Sequence, residues 1–485
     1  MEHEERLLID GELVEAEAGR TFETINPATG AVLGTASDAS VGDAKRAIAA
    51  ARRAFDTTTW ATDHAFRAHC LRQLHEALVR HTEDLRAVII AEVGAPVTLT
   101  HGPQLETPIN IVSWYTDLLE KFEWSEDLGT AEAYGSTHNR WVEKEPLGVV
   151  SAIVPYNYPL QITLAKLVPA LAAGCTVVVK GPPDTPWVTQ TFGRILAETD
   201  IPPGVVSVIS SSGVDVGEVL TTDPMVDMVS FTGSTAVGRR IMAAASDTVK
   251  KVFLELGGKS AYVVLDDFDM AVACMVSGFT ICSHAGQGCA ITTRMLVPQA
   301  KFDEAVEQLT ATLAGVPVGD PTDPGTMMGP LINARQWDKV DGYVQRAVAQ
   351  GAKVATGGRR PENLPNGFFY EPTVLVDVDP NSAIAQEEVF GPVLALIPYK
   401  DDDDAVAIAN NSIFGLSATV NGTDRERALS VARRIRAGTV SVNGGLWYGP
   451  DCPFGGYKQS GIGREMGLPG FLEYLELKTL AEPLS

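Results

Sequence analysis

The sequence is poor in the features that mark nucleic-acid, membrane, disulfide or metal proteins. No Lys/Arg cluster interrupts a net charge of −23, and a surface of that sign repels phosphate backbones and anionic membranes. Nucleic acid is not an expected partner. No apolar run approaches the roughly 20 residues of a membrane-spanning helix, and the opening Met1-Glu-His-Glu-Glu-Arg6 is acidic where a secretion leader is basic. A soluble, cytoplasmic chain with no membrane partner is expected. The cysteines Cys70, Cys175, Cys274, Cys282, Cys289 and Cys452 form no Cys-x-x-Cys pair and no dense framework, which fits a reducing compartment. The histidines form no i, i+4 pair and no H-E-x-x-H pattern, so no metal site is expected. Asp401 to Asp404 lacks the alternating ligands and Gly of a calcium loop and reads as a solvated loop or helix start.

What is present is α/β patterning over 485 residues, too long for one hydrophobic core. A hairpin is expected at Leu7 to Val14, turning at Asp10-Gly11, with helical stretches at Val41 to Phe55 and His64 to Val93. From Gly148 the pattern is βαβα. Strand-like runs at Val149 to Val154, Thr176 to Val179, Val205 to Ile209 and Val229 to Phe231 alternate with helices at Pro159 to Ala173, Trp187 to Thr199 and Thr235 to Ala245. That alternation predicts a parallel, doubly wound, Rossmann-like sheet. A second α/β block starts after Gly257-Gly258 and ends on a strand at Gly438 to Val442. Thr137 to Val142 and Lys478 to Leu480 read as strands of a small β arm, which pairs either with another subunit, giving a homodimer or homotetramer, or back on its own chain. The expected division is a cofactor-binding domain over 1–125 and 147–257, a catalytic domain over 258–459, and an oligomerisation arm of 126–146 and 471–485.

Three local patterns carry chemistry. In Ala285-Gly-Gln-Gly-Cys289, glycines leave the sulfur uncovered, as a nucleophile needs; a cysteine taken alone is more often a small buried hydrophobe. In Leu254-Glu255-Leu256-Gly257-Gly258-Lys259, a carboxylate ends an apolar strand beside glycines. In Pro155-Tyr156-Asn157-Tyr158-Pro159, an amide stands at the C-terminal end of the first parallel strand, where sites gather in such sheets. An isolated Glu there would usually be ion-paired and an isolated Asn a helix cap.

The order and spacing of these elements, with Glu255 and Cys289 34 positions apart by subtraction (289 − 255), resemble the aldehyde dehydrogenase superfamily. Phe231-Thr-Gly-Ser-Thr235, Glu387-Glu-Val-Phe-Gly-Pro392, and Pro453-Phe-Gly-Gly-Tyr-Lys458 running into Ser460-Gly-Ile-Gly-Arg-Glu465 extend the likeness over the whole chain. The resemblance implies an NAD(P)-dependent, hydrolytic, non-CoA-acylating enzyme. Cys289 would attack the aldehyde, Asn157 and the Cys289 N–H would hold the oxyanion, and Glu255 would activate the water that cleaves the thioester. Lys166 and Glu465 would relay its proton, or else form an ordinary ion pair. No G-x-G-x-x-G follows the first strand. By resemblance, the dinucleotide instead meets Ile153, Pro155, Tyr156 and Lys180, then Gly213 and Gly217 near adenine. Gly233 and Ser234 would meet the pyrophosphate, Phe231, Val237 and Leu256 would also bind the cofactor, and Glu388 and Phe390 would hold the nicotinamide ribose and ring. The family commonly has K-P-S-E where this chain has Lys180-Gly-Pro-Pro183, so its ribose-binding Glu is missing. No Arg or Lys beside Asp184 would pair a 2′-phosphate, which favours NAD, with NADP the alternative.

Positions matching the family's substrate tunnel are Tyr158, Gln161, Ile162 and Ala165 together with Ala290, Trp447, Tyr448 and Phe454, with Tyr156 beside them. None is charged. A neutral, apolar aldehyde, aliphatic, terpenoid or aromatic, is therefore expected. The alternatives are a semialdehyde or CoA-acylating dehydrogenase, or a non-catalytic binding protein on the same fold.

Overall fold

The computed structural model describes residues 1–484; Ser485, the last residue of the expected arm, lies outside them. The first sheet has five parallel strands at its centre. The chain enters at Val149–Ile153 and moves outward through Thr176–Gly181 to Val206–Ser210. It then returns to the other side of Val149–Ile153 with Met228–Thr232 and Lys251–Glu255. These strands are rich in Val and Ile, and most of their residues are buried, as befits parallel strands covered by helices on both faces. The reversal of direction leaves a crevice beyond the carboxyl ends of Val149–Ile153 and Met228–Thr232. Leu7–Ile9 and Glu12–Val14 extend one edge, and Gly461–Ile462 pairs against Leu254 and Glu255 at the other.

A second sheet of seven strands runs in the order Lys353–Thr356, Thr373–Val376, Val393–Tyr399, Thr292–Pro298, Ser260–Val264, Ser417–Asn421 and Thr439–Val442. All pairings are parallel except that of Lys353–Thr356. Only Leu256 to Lys259 separate the last residue of the first parallel set, Glu255, from the first strand of this sheet. The two sheets are thus hinged at the residues expected to react.

The small third sheet is built from Ser125–Ala133, Ser136–Pro146 and Leu475–Pro483. The tail strand pairs along its own chain, from Leu475 opposite Pro146 to Pro483 opposite His138. The periodic stretch His64 to Val93 is two helices, His64–Arg80 and Thr82–Val93, sharing His81 as the break; Glu83 and Asp84 favour a new helix start there. Helix Glu106–Lys121 has no counterpart in the sequence reading: Pro108, Ile109, Ile111 and Val112 weaken local propensity, and burial of these same residues holds the helix. Asp401 is the N-cap of helix Asp402–Asn410, accepting from the Asp404 N–H. No helix among the described residues is long and apolar enough to cross a membrane.

One buried carboxylate ties the amino-terminal helices to the sheet. Glu92, fully buried, accepts from the N–H groups of Trp187 and Val188, each at 2.9 Å, and from Thr24 Oγ1 at 2.7 Å. It caps helix Pro186–Leu196, whose own N-cap Thr185 makes no side-chain cap bond. Burial pushes its pKa to about 8 although all three donors favour the carboxylate. Glu92→Ala strands three buried donors and is expected to destabilise the fold by about 3 kcal/mol or more, read as a lower midpoint in denaturant unfolding, with Glu92→Gln less severe.

Candidate active site

Glu255 closes its strand with its side chain 1% exposed and neither carboxylate oxygen hydrogen-bonded. Burial therefore raises its pKa well above the usual carboxyl range. The Glu465 carboxylate adds to the shift, and Lys166 and Arg464 oppose it. The following glycines are required sterically: a Cβ on Gly257 would lie 2.5 Å from Glu388 Oε2, and one on Gly258 would lie 2.4 Å from the Cys289 carbonyl. Glu388 in turn accepts the Gly258 N–H at 3.0 Å. Glu255, Cys289 and Glu388 thus converge around one backbone crossing.

The loop carrying Cys289 is strained. His284, Ala285 and Gly286 have φ of 48°, 51° and 72°, a left-handed run that costs energy at the two non-glycine positions. A Cβ on Gly286 would meet the Gly391 carbonyl at 2.1 Å, so the nucleophile loop lies against the segment bearing Glu388 and Phe390. Gln287, fully buried, fixes the loop by accepting the Ile332 N–H at 3.0 Å and donating to the His284 and Pro330 carbonyls. Asn157 does not cap the following helix; its Nδ2 donates to the Gln287 carbonyl at 2.9 Å, and its own carbonyl accepts from Gln104 Nε2 at 2.8 Å. The amide expected at the oxyanion is thereby tied to the cysteine loop. Burial raises the Cys289 thiol pKa, with Glu255, Glu388 and Glu465 adding to the shift.

Lys166 and Glu465 are buried and paired at 2.5 Å. Lys166 also donates to Ser230 Oγ at 3.3 Å, which in turn contacts the Tyr474 hydroxyl. Both charged groups bear on Glu255.

The crevice opens into a cavity of 610 Å³ whose walls include Ile153, Lys180, Gly213, Gly217, Phe231 and Val237. Lys180 is 8% exposed and donates to the Gly181 and Ser211 carbonyls at 3.2 and 3.4 Å, two acceptors for an ammonium that can serve three. Ser234 caps helix Thr235–Ala245, accepting from Val237 N at 3.4 Å, and a Cβ on Gly233 would strike the Phe231 ring; such a helix start suits a pyrophosphate. Leu256 packs with Phe231 and Ile241 and against Gly238. At the other end, Tyr156, next to Pro155, stands edge-on to the Phe390 ring, centroids 6.0 Å apart. Two residues here had no local signature, being single polar positions on the amphipathic helix Ala334–Ala349. Gln336 donates to the Phe390 and Val389 carbonyls at 2.7 and 3.1 Å, and burial lowers the Lys339 pKa while Glu388 and Glu387 oppose the shift. A buried ammonium, a helix start and a carboxylate spaced along one crevice fit a dinucleotide.

Tyr158, Gln161, Ile162 and Ala165 share one face at the start of helix Pro159–Ala173. Gln161 Nε2 donates to the Tyr448 hydroxyl at 2.5 Å. Trp447 stacks on Phe454 at 5.9 Å, and Tyr448 meets Phe454 edge-on at 5.5 Å. Ala290 and Trp447 also wall a separate 210 Å³ cavity beside Thr292 and Ser417.

The model of the aldehyde dehydrogenase family matches residues 13–480. A 3-succinoylsemialdehyde-pyridine dehydrogenase of a Pseudomonas species is 40% identical over 476 residues, covering 97% of each chain. Among solved structures, a mutant of aldehyde dehydrogenase C from Pseudomonas syringae, complexed with NAD+ and octanal, superposes with a TM-score of 0.93 at 38% identity, covering 99% of this chain and 96% of its own. Betaine aldehyde dehydrogenase from Staphylococcus aureus, complexed with NAD+, gives 0.96 at 35% identity, covering 99% of this chain and 94% of its own. The chain belongs to the aldehyde dehydrogenase family.

Proposed function

We propose that this NAD-dependent aldehyde dehydrogenase carries its acyl group as a thioester on Cys289 and releases the acid through water that Glu255 deprotonates. The observation carrying this reading is the buried, unbonded Glu255 carboxyl beside the cysteine loop. An ordinary structural carboxylate would be hydrogen-bonded, whereas a general base needs free lone pairs and a raised pKa.

Cys289, as thiolate, forms a C–S bond to the aldehyde carbon, and the carbonyl oxygen takes the negative charge. Asn157 Nδ2 and the Cys289 N–H donate to that oxyanion; loss of one such donor typically costs about 10² to 10³ in rate. NAD, when bound, accepts the hydride that leaves this carbon. The ionised Glu255 then takes one proton from water while the oxygen attacks the thioester carbon, the C–S bond breaks and the sulfur departs as thiolate. The adjacent Glu465 and Lys166 pass the proton on. Glu388, Gln336 and Lys339 steady the nicotinamide side, and Lys180 the adenosine side. The exposed β arm is the surface through which copies of this chain would assemble.

For the substrate, the aromatic wall of Trp447, Tyr448 and Phe454 supports an aldehyde with an uncharged apolar or aromatic tail. None of the tunnel positions carries a positive charge that could pair a second carboxylate. The octanal complex of one relative agrees with an apolar tail. A semialdehyde is the second reading, favoured by the name of the 40% identical relative, whose substrate carries a pyridine ring. An aldehyde panel read by absorbance of the reduced cofactor decides: long-chain and benzyl aldehydes should exceed semialdehydes, the pyridine-bearing one included, in kcat/KM, and the reverse order would favour the semialdehyde.

Cys289→Ser is expected to abolish aldehyde oxidation while leaving NAD binding intact; retained turnover would exclude the thioester. The Glu255 shift also fixes a stability slope. The folded protein keeps a proton that the unfolded chain releases above its ordinary carboxyl pKa, so burial of Glu255 costs increasing stability as pH rises towards the folded pKa. Glu255→Gln removes that cost, and its melting temperature should gain on the parent's between pH 5 and pH 8, taken as approximate limits. Parallel profiles would show that the carboxyl is not desolvated.

A further inference from the structure

We propose that Asp215 is the residue that selects the cofactor's adenosine ribose, accepting a hydrogen bond from the 2′-hydroxyl and excluding a 2′-phosphate. The inference rests on the reading of the 610 Å³ cavity as the dinucleotide site. Lys180, Ser211, Gly213 and Asp215 line that cavity together, and Pro183, also in its wall, offers no hydrogen-bonding side chain.

A ribose diol is recognised by an acceptor that takes its O–H and a donor that meets its lone pairs. Lys180 supplies the donor. Three carboxylates act on its ammonium, those of Asp38, Asp215 and Asp184, and the first and third are engaged elsewhere. Asp38 accepts from the Ser212 N–H at 2.9 Å, the Ser212 hydroxyl at 2.8 Å and Arg20 at 3.0 Å. Asp184 accepts from Asn333 Nδ2 at 2.7 Å. A further carboxylate on the cavity wall, Glu218, is paired with Arg240 at 2.6 Å.

Asp215 differs from all of these. Its Oδ1 accepts from the N–H of its sequence neighbour Val216 at 3.0 Å, and no salt bridge to it is formed among the described residues. The carboxylate lies against Gly213, where a Cβ would sit 2.4 Å from Oδ1. The Gly213 N–H donates to Ser211 Oγ at 3.2 Å, and the Ser211 carbonyl takes the Lys180 ammonium. An unpaired carboxylate and a buried ammonium thus share one cavity wall, joined by a short path of backbone. A 2′-phosphate would bring its charge against Asp215, and of the cations in the cavity wall Arg240 is already paired with Glu218, which leaves Lys180.

The test is a binding titration by calorimetry, with NAD, NADP and 2′-deoxy-NAD as the probes, on the parent protein and Asp215→Ala. The parent should bind NAD more tightly than 2′-deoxy-NAD and NADP. Because a charge-assisted hydrogen bond is lost, Asp215→Ala should weaken NAD roughly tenfold or more. It should also erase the difference between NAD and 2′-deoxy-NAD and bring NADP closer to NAD. A variant that keeps the parent's NAD affinity and its discrimination among the three probes would overturn the inference, as would equal weakening of all three. A parent protein that binds no dinucleotide would overturn the cofactor reading itself, and the inference with it.

Discussion

The structure turns on a carboxyl group that is denied both water and a hydrogen-bond donor. Glu255 sits at the end of a parallel strand, and the energetic penalty for ionising it there shapes its surroundings. The Lys166–Glu465 pair lies close enough to act on it, the lysine easing its ionisation and the glutamate opposing it. The same negative neighbourhood raises the Cys289 thiol. Burial and these carboxylates favour the protonated form of both the Cys289 thiol and the Glu255 carboxyl.

The second constraint is steric. Two sheets meet across four residues, and their loops approach so closely that side chains are excluded at Gly257, Gly258 and Gly286. The left-handed backbone at His284 and Ala285 shows that the cysteine loop is forced into place by this contact and by the hydrogen bonds of Gln287. Strain of this kind persists only when the surrounding packing over-determines it. Here the packing comes from both lobes: Asn157 and Gln104 on one side, Ile332, Pro330 and Gly391 on the other. Precision at Cys289 is thus a property of the junction rather than of either sheet.

Much of this was legible in the chain. The βαβα alternation after Gly148 predicts the parallel sheet, since buried strands and their helices have distinct periods, and Pro159 to Ala173 and Thr235 to Ala245 coincide with the observed helices. Cys289, Glu255 and Asn157 could be singled out because glycines and strand ends leave local marks. Gln104, Gln336 and Lys339 could not, because each is a single polar residue whose role depends on a contact made far along the chain. The hairpin of Thr21–Ile25 and Val32–Ser37 was hidden for a related reason: it lacks a clear alternating pattern, with most of its residues exposed or half-buried.

The most direct measurement of the central claim is intact-protein mass spectrometry of Glu255→Gln mixed with excess NAD and an apolar aldehyde. The account predicts about one equivalent of reduced cofactor, formed at near-parental rate, and a covalent acyl adduct that maps to the peptide containing Cys289, because hydrolysis without the base slows by about 10² to 10⁴. Steady turnover at the parental rate with no adduct on Cys289 would contradict it.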